Sequence, residues 1–428
     1  MMDALIKYIK ISLFLICILG VSCNNTTKKN LNSNNKTAAQ LLGNPKYPAI
    51  SYGGYRKSSR EIQPSIEAIK EDLNIMHAMG IRLLRTYNLQ LDQAPNILKA
   101  IKELTMEHSD FEMYVMLGAW IDCENAWTDL PPNHDKEDEQ NNASEIAKAI
   151  ELANQYPEIV KIIAVGNESM VHWATSYFVK PEVVLKWVNH LQEQKKQGHL
   201  PESLWITSSD NFASWGGGSS DYHNKDLEEL VAAVDFISVH TYPFHDTHYN
   251  SDFWLVPESE SHLSELRQIE SAMQRAKDYA IQQYKSVKDY IATLGIDKPI
   301  HIGETGWATT SQGLYGAHGS HAADEYKQAL YYNSMREWTQ ENNISCFFFE
   351  AFDEQWKDSN NPNGSENHFG LFTIDGQAKY ALWSSVDKGI FEGLSRDGNS
   401  IKKTHGGNKS IVLKNALPPK STLIHNVN

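Results

Sequence analysis

The chain has 428 residues, 41% of them hydrophobic, with eleven tryptophans and a formal net charge of −14. That length accommodates one large barrel or two ordinary domains, and the apolar content supports a sizeable packed core. The negative charge argues against a partner held by phosphate contacts, so no nucleic acid is expected; a neutral polysaccharide is not excluded.

Lys7 and Lys10 accompany an apolar stretch from Ile11 to Gly20, too short to span a bilayer comfortably and typical of a signal-peptide core. It ends in Leu19-Gly20-Val21-Ser22-Cys23, small residues before a Cys, which resembles a bacterial lipoprotein cleavage box. Residues 1–22 therefore read as a lipoprotein signal peptide, with Cys23 as the lipidated N-terminus. An ordinary signal peptide with an incidental Cys is the alternative. Asn24 to Lys36 are nearly all Asn, Thr, Ser and Lys, and residues 23–45 read as a flexible tether. The expectation is a domain lipid-anchored to a bacterial membrane, the outer one, facing periplasm or cell surface. Cys123 and Cys346 lie far apart, and spacing alone does not establish a disulfide.

From residue 46 strand-like and helix-like segments alternate. A first strand at Ser51 to Gly54 precedes a helix from Pro64 to Met79, where Ile66, Ile69, Leu73 and Met76 recur at three- and four-residue steps. Ile81 to Tyr87 is the second strand, followed by a helix capped by Asp92. Phe111 to Trp120 is the third. An acidic loop from Asp122 to about Asn142 leads to a helix from Ser144 and then the fourth strand, Ile162 to Gly166. Pro181 opens the next helix. Leu204 to Ser209 is the fifth strand and Val234 to Tyr242 the sixth. A long helix spans roughly Ser261 to Leu294, the seventh strand begins at Pro299, and a helix from Ala322 to Glu341 precedes the eighth strand, Ile344 to Phe352. A last helix is expected near Ala378 to Ile390.

Eight such alternations predict a (β/α)8 barrel over residues 46–392, a single catalytic domain, with a C-terminal extension over 393–428. A doubly wound sheet would offer a Gly-rich phosphate turn after the first strand, and the segment Ser51 to Ser58 is not one. The glycines of Ser214 to Ser220 lack a following Lys-Ser/Thr and read as a flexible rim.

Two apolar runs end in a carboxylate: Ile162 to Glu168 and Pro299 to Glu304. A carboxylate at the end of a buried strand is costly unless paired or functional. In a barrel the C-terminal strand ends form one face, so Glu168 and Glu304 share it. Retaining glycosidases use two carboxyl groups roughly 5–5.5 Å apart, one protonating the leaving oxygen and one attacking the anomeric carbon. The alternative for either residue is a salt bridge to a barrel arginine such as Arg82 or Arg85. Asn167 can hydrogen-bond a sugar hydroxyl. Tyr87, Trp307 and Phe369 stand where aromatic faces could stack on sugars, with core packing the alternative. His240, His245 and His248 do not make a metal motif, and neither metal nor cofactor is expected.

The segments Ile300 to Thr310, Ala164 to Ser169, Phe347 to Asp358 and Ser365 to Phe372 together resemble glycoside hydrolase family 17, the β-1,3-glucanases and related glucanosyltransferases of the clan A barrels. The likeness runs in family order across nearly the whole barrel. It implies Glu168 as acid/base, Glu304 as nucleophile and Asn167 as a partner of the substrate 2-hydroxyl. It also implies that Glu354, Lys357 and Glu366 form a polar group beside the site, and that Tyr242 lies near the nucleophile. The implied activity is retaining endo-β-1,3-glucan hydrolysis of laminarin type. No oligomer interface is legible in the sequence, and a monomer is expected. A glucanosyltransferase with the same site and a non-catalytic glucan-binding lipoprotein are the rivals.

Overall fold

The computed structural model describes residues 36–420. The expected signal peptide, Cys23 and the tether as far as residue 35 lie outside the described residues.

The folded unit opens with a short helix, Ala38–Leu41 (α1), then strand Ala49–Ser51 (β1), helix Ile66–Ala78 (α2), strand Leu83–Arg85 (β2), helix Gln93–Glu107 (α3) and strand Tyr114–Ala119 (β3). A two-stranded hairpin follows, Cys123–Glu124 (β4) with Asn133–Glu137 (β5). Next come Glu139–Gln155 (α4), Val160–Asn167 (β6), Pro181–Lys196 (α5), Trp205–Asn211 (β7), Lys225–Ala233 (α6), Ile237–His240 (β8) and Pro243–Tyr249 (α7). The long helix Glu265–Thr293 (α8) leads to Ile300–Gly306 (β9), Glu325–Glu341 (α9) and Cys346–Phe349 (β10). The last elements among the described residues are Trp383–Asp387 (α10), the hairpin Ser395–Arg396 (β11) with Asn399–Ser400 (β12), and Lys409–Asn415 (α11).

Strands β1, β2, β3, β6, β7, β8, β9 and β10 close a barrel, parallel throughout, with β1 meeting β10 at Ile50 and Phe348. This is the (β/α)8 architecture expected from the alternation. Side chains alternate across a strand, so every second residue points to the barrel axis. The lower interior is apolar: Ala49, Leu83, Tyr114, Met116, Ile162, Ala164 and Phe347 pack together with Ala38 and Leu41 of α1, which plugs that end. The upper interior is polar, with Arg85, Ser209, Ser238 and His240 all buried. A Cβ at Gly303 would lie 2.0 Å from the Ser238 Oγ, so only glycine admits the serines at that level.

Several expectations change. The tether does not reach residue 45, because Ala38 and Leu41 are fully buried. The acidic loop contains the β4–β5 hairpin, and α4 starts at Glu139 rather than Ser144, capped by Asp138, which accepts from the Asn141 N–H. The glycine segment is no rim. Ala213–Gly217 is a π-type turn with Trp215 buried and its indole N–H on the Ser238 carbonyl at 3.0 Å. The last helix shrinks to α10. The C-terminal extension packs on the barrel: the Arg396 Nε lies 2.8 Å from Asp72 of α2, both side chains fully buried. The Val256 N–H donates to the Lys420 carbonyl at 2.9 Å. Cys123 and Cys346 are free thiols, both buried.

Candidate active site

Glu168 and Glu304 come together at the C-terminal mouth of the barrel through the strand ladder. His240 at the end of β8 is the register partner of Glu304 on β9, and its Nδ1 lies 3.1 Å from the Glu168 Oε1. Strand β9 continues two residues past Glu304, which is therefore anchored on both sides. Glu168 directly follows β6 with φ of 47°, in the left-handed region, which costs a non-glycine residue about 1–2 kcal/mol. Its N–H is held by the Ser209 carbonyl at 3.0 Å. The buried Asp210 accepts from the Met170 N–H at 2.8 Å and fixes the same turn.

Donors crowd Glu304. The Arg85 guanidinium meets its Oε2 at 2.6 Å, the Tyr87 hydroxyl donates to the same oxygen at 2.8 Å, and the Tyr242 hydroxyl donates to Oε1 at 2.6 Å. Burial works to raise the Glu304 carboxyl, but the Arg85 charge and the Tyr242 and Tyr87 hydroxyls outweigh it and hold it below the ordinary value. His240 is itself pushed down to about 4 by burial. At neutral pH it is therefore an uncharged ring, and Arg85 supplies the positive charge. Glu168 moves the other way, to about 8, through burial and then the negative charge of Glu304. One carboxyl is thus ionised and the other protonated near neutral pH, the division that acid-assisted displacement requires.

A cavity of about 540 Å³ opens at Glu304, lined by Tyr87, Trp120, Asn167, Glu304, Glu354 and Glu366 among others. Depressions of about 690 and 580 Å³ lie elsewhere, against the β11–β12 hairpin and the acidic hairpin. Neither is lined by Glu304, so volume alone does not find the site. Lys357 is largely buried in the cavity wall, 2.5 Å from Glu350 and 3.3 Å from Glu354. Burial would lower its ammonium, and the two carboxylates outweigh that and raise it. Glu354 also accepts from the Tyr55 N–H and the Trp356 indole, each at 2.9 Å.

Residues 49–370 match the BtgE/BtgC glycoside hydrolase domain. The chain belongs to the BtgE/BtgC glycoside hydrolase family. A solved endo-laminarinase from Formosa Hel1_33_131 is 64% identical, with a TM-score of 0.90, covering 90% of this chain and 98% of that one. A putative glucan endo-1,3-beta-glucosidase, btgC, of Aspergillus niger is 23% identical over 75% of this chain and 40% of its own length. This chain thus spans less than half of that relative. A β-1,3-glucanosyltransferase of Rhizomucor miehei, 20% identical with a TM-score of 0.54 over 78% of this chain and 96% of that one, shares the fold.

Within this BtgE/BtgC-family site, Glu168, Glu304, Asn167, Tyr87, Tyr242, Glu354 and Lys357 converge. Asn167 Oδ1 accepts from Arg85. Tyr87 lines the cavity and gives its hydroxyl to Glu304, while the Arg85 guanidinium covers one face of its ring at 4.6 Å. Glu366 reaches the cavity from an exposed turn and does not pair with Lys357, whose carboxylates are Glu350 and Glu354. Trp307 and Phe369 are corrections: both are buried in the core. The Trp307 indole N–H is spent on the Ala322 carbonyl at 2.8 Å, and Phe369 packs edge-on against Phe349 at 5.4 Å. Neither offers a face to a sugar.

Arg85, His240 and Glu350 were not singled out as site residues. The sequence marks Arg85, like Arg82, only as a barrel arginine able to pair a strand-end carboxylate. His240 precedes the Thr241-Tyr242 segment, yet nothing in its neighbourhood tells which carboxylate it meets. The Nδ1 of His245 lies 3.1 Å from the Tyr315 hydroxyl, and among the described residues no group of three His, Cys, Asp or Glu side chains is arranged to hold a metal ion.

Proposed function

We propose that this chain is a retaining endo-β-1,3-glucanase of glycoside hydrolase family 17 type, acting on laminarin-like glucan by double displacement. The observation that carries the reading is the arrangement of two carboxyls at the barrel mouth, Glu304 gripped by Arg85, Tyr87 and Tyr242 and Glu168 set against the His240 ring, surroundings that lower the first carboxyl and raise the second. The likeness to an endo-laminarinase at 64% identity supports the choice of substrate.

In the first step a Glu304 carboxylate oxygen attacks the anomeric carbon as the glycosidic C–O bond breaks. The leaving oxygen takes the proton of Glu168. Covalent attachment removes the charge of Glu304, and with it one cause of the raised Glu168 pKa, so Glu168 becomes a base. Water then gives a proton to Glu168 and attacks the same carbon, releasing Glu304. Two inversions retain the β configuration. Asn167, fixed by Arg85, is positioned to hydrogen-bond the 2-hydroxyl of the attached sugar.

The test is the product profile on linear β-1,3-glucan followed by NMR. β-Anomers and shorter chains are expected at first; initial α-anomer overturns double displacement, and chains longer than the substrate establish transfer to a sugar in place of water. We further propose, on the sequence of residues 1–36, that Cys23 is lipidated and that the enzyme is anchored to a bacterial outer membrane. Metabolic palmitate labelling should mark the wild type and not Cys23→Ala; equal label in both removes the anchor.

A further inference from the structure

The β4–β5 hairpin holds a large aromatic in an unusual state. Trp127 is 63% exposed, and its backbone is left-handed with φ of 61°. It is nevertheless held firmly. Its indole N–H donates to Asp122 Oδ1 at 3.2 Å, and the indole N–H of Trp120 donates to the same oxygen at 2.6 Å. Asp122 is buried, and its own N–H is fixed by Asn142 at 2.9 Å. Tyr177, from the loop after β6, stacks on Trp127 with centroids 5.0 Å apart and planes at 22°. Trp120 is anchored in turn by its N–H on the buried Glu145 at 2.8 Å.

An exposed tryptophan normally forfeits the gain of burying its ring, roughly 25 cal/mol per Å² of apolar surface. Here a buried carboxylate and a stacked phenol keep the ring upright in solvent. Trp120 and Trp127 line the same cavity as Glu304 and Asn167. A fixed, flat, apolar face on the wall of a sugar-sized cleft suits the C–H face of a pyranose ring, and it lets the hydroxyls at the ring edge stay solvated. Trp173, by contrast, is equally exposed at 60% and is not among the cavity-lining residues.

We infer that Trp127, braced by Asp122 and Tyr177, is a stacking platform for a glucosyl unit of the β-1,3-glucan other than the one that bonds to Glu304. This inference rests on the glucanase reading above and adds a binding position to it. Asp122 acts through the two indoles and is a positioning residue.

The experiment is steady-state kinetics of wild type, Trp127→Ala, Trp127→Phe, Asp122→Ala and Trp173→Ala on linear β-1,3-glucan and on a ladder of its oligosaccharides. Trp127→Ala should raise KM on the polymer about tenfold with less than about a twofold change in kcat. The penalty should grow with oligosaccharide length. Trp127→Phe should recover most of the loss, Asp122→Ala should show part of it, and Trp173→Ala should behave as wild type. Quenching of tryptophan fluorescence on adding oligosaccharide should shrink in Trp127→Ala. An unchanged KM, a loss uniform across chain lengths, or an equal loss in Trp173→Ala overturns the platform. Wild-type protein that cleaves no β-1,3-glucan instead overturns the reading beneath it.

Discussion

Glu304 and Glu168 are one residue type at one barrel mouth, and their surroundings drive them apart. Around Glu304 a guanidinium and two phenols converge on the carboxylate. Around Glu168 stands a buried, uncharged imidazole, with the charge of Glu304 nearby. The contrast shows that the placement of donors, rather than the identity of the acid, sets which carboxyl is ionised. It also sets opposite signs for stability. Glu304, lowered in the folded state, contributes stability above its ordinary value that is lost as pH falls through the lowered one. Glu168, raised to about 8, contributes stability at acid pH that is lost as pH rises through about 8.

The harshest test of the contrast is Glu304→Gln, which removes the attacking oxygen and should cut kcat on β-1,3-glucan about 10⁴-fold or more, measured by reducing-end release. Glu168→Gln should cost about 10²–10⁴-fold on the polymer and far less in the first step on an aryl glycoside whose leaving group needs no proton. Equal losses on the two substrates would erase the division between acid and nucleophile. Arg85→Met should cost about 100-fold in kcat/KM and move the acid limb of the rate profile upward, since the charge that holds Glu304 ionised is gone. In the wild type that limb should lie below the usual carboxylate range. The alkaline limb should fall near pH 8, where Glu168 loses its proton. The mildest change is Tyr242→Phe, expected to cost about tenfold or less and to move the acid limb less than Arg85→Met does. A larger shift from the phenol than from the guanidinium would reverse the weight given to charge over hydrogen bonding.

Much of this arrangement was legible beforehand, and the reasons are physical. A buried strand is a short apolar run, so the eight barrel strands and the two carboxylates at or near their ends stood out. Helix α2 declared itself by the spacing of Ile69, Leu73 and Met76, all of which are buried. What stayed hidden were side-chain positions set by particular contacts distant in sequence. Trp307 follows Glu304 closely, but nothing local tells whether its ring faces the cleft or the helices, and it faces the core. The glycines at 216–218 look mobile, yet Gly216 is packed against Tyr290, whose ring would lie 2.2 Å from an added Cβ. Trp127 sits in a stretch rich in acids and prolines, and its brace on Asp122 depends on a hairpin that the apolar pattern does not announce. Arg396 lies in a polar tail and becomes buried only because Asp72 waits for it.

That last pairing bears on how the chain is made. Asp72 and Arg396 are 324 positions apart, and the closing contact of the barrel, Ile50 with Phe348, is nearly as distant. Closing loops of such length carries an entropic cost that must be met before the contact returns anything, which makes these late events in folding. During synthesis β1 has no partner on one side until the ribosome has delivered β10. The nascent sheet therefore carries two open edges for most of translation, the state in which strands pair with the wrong chain. The segment around Arg396 is the latch: it arrives after all eight barrel strands and engages Asp72 on a helix made among the first.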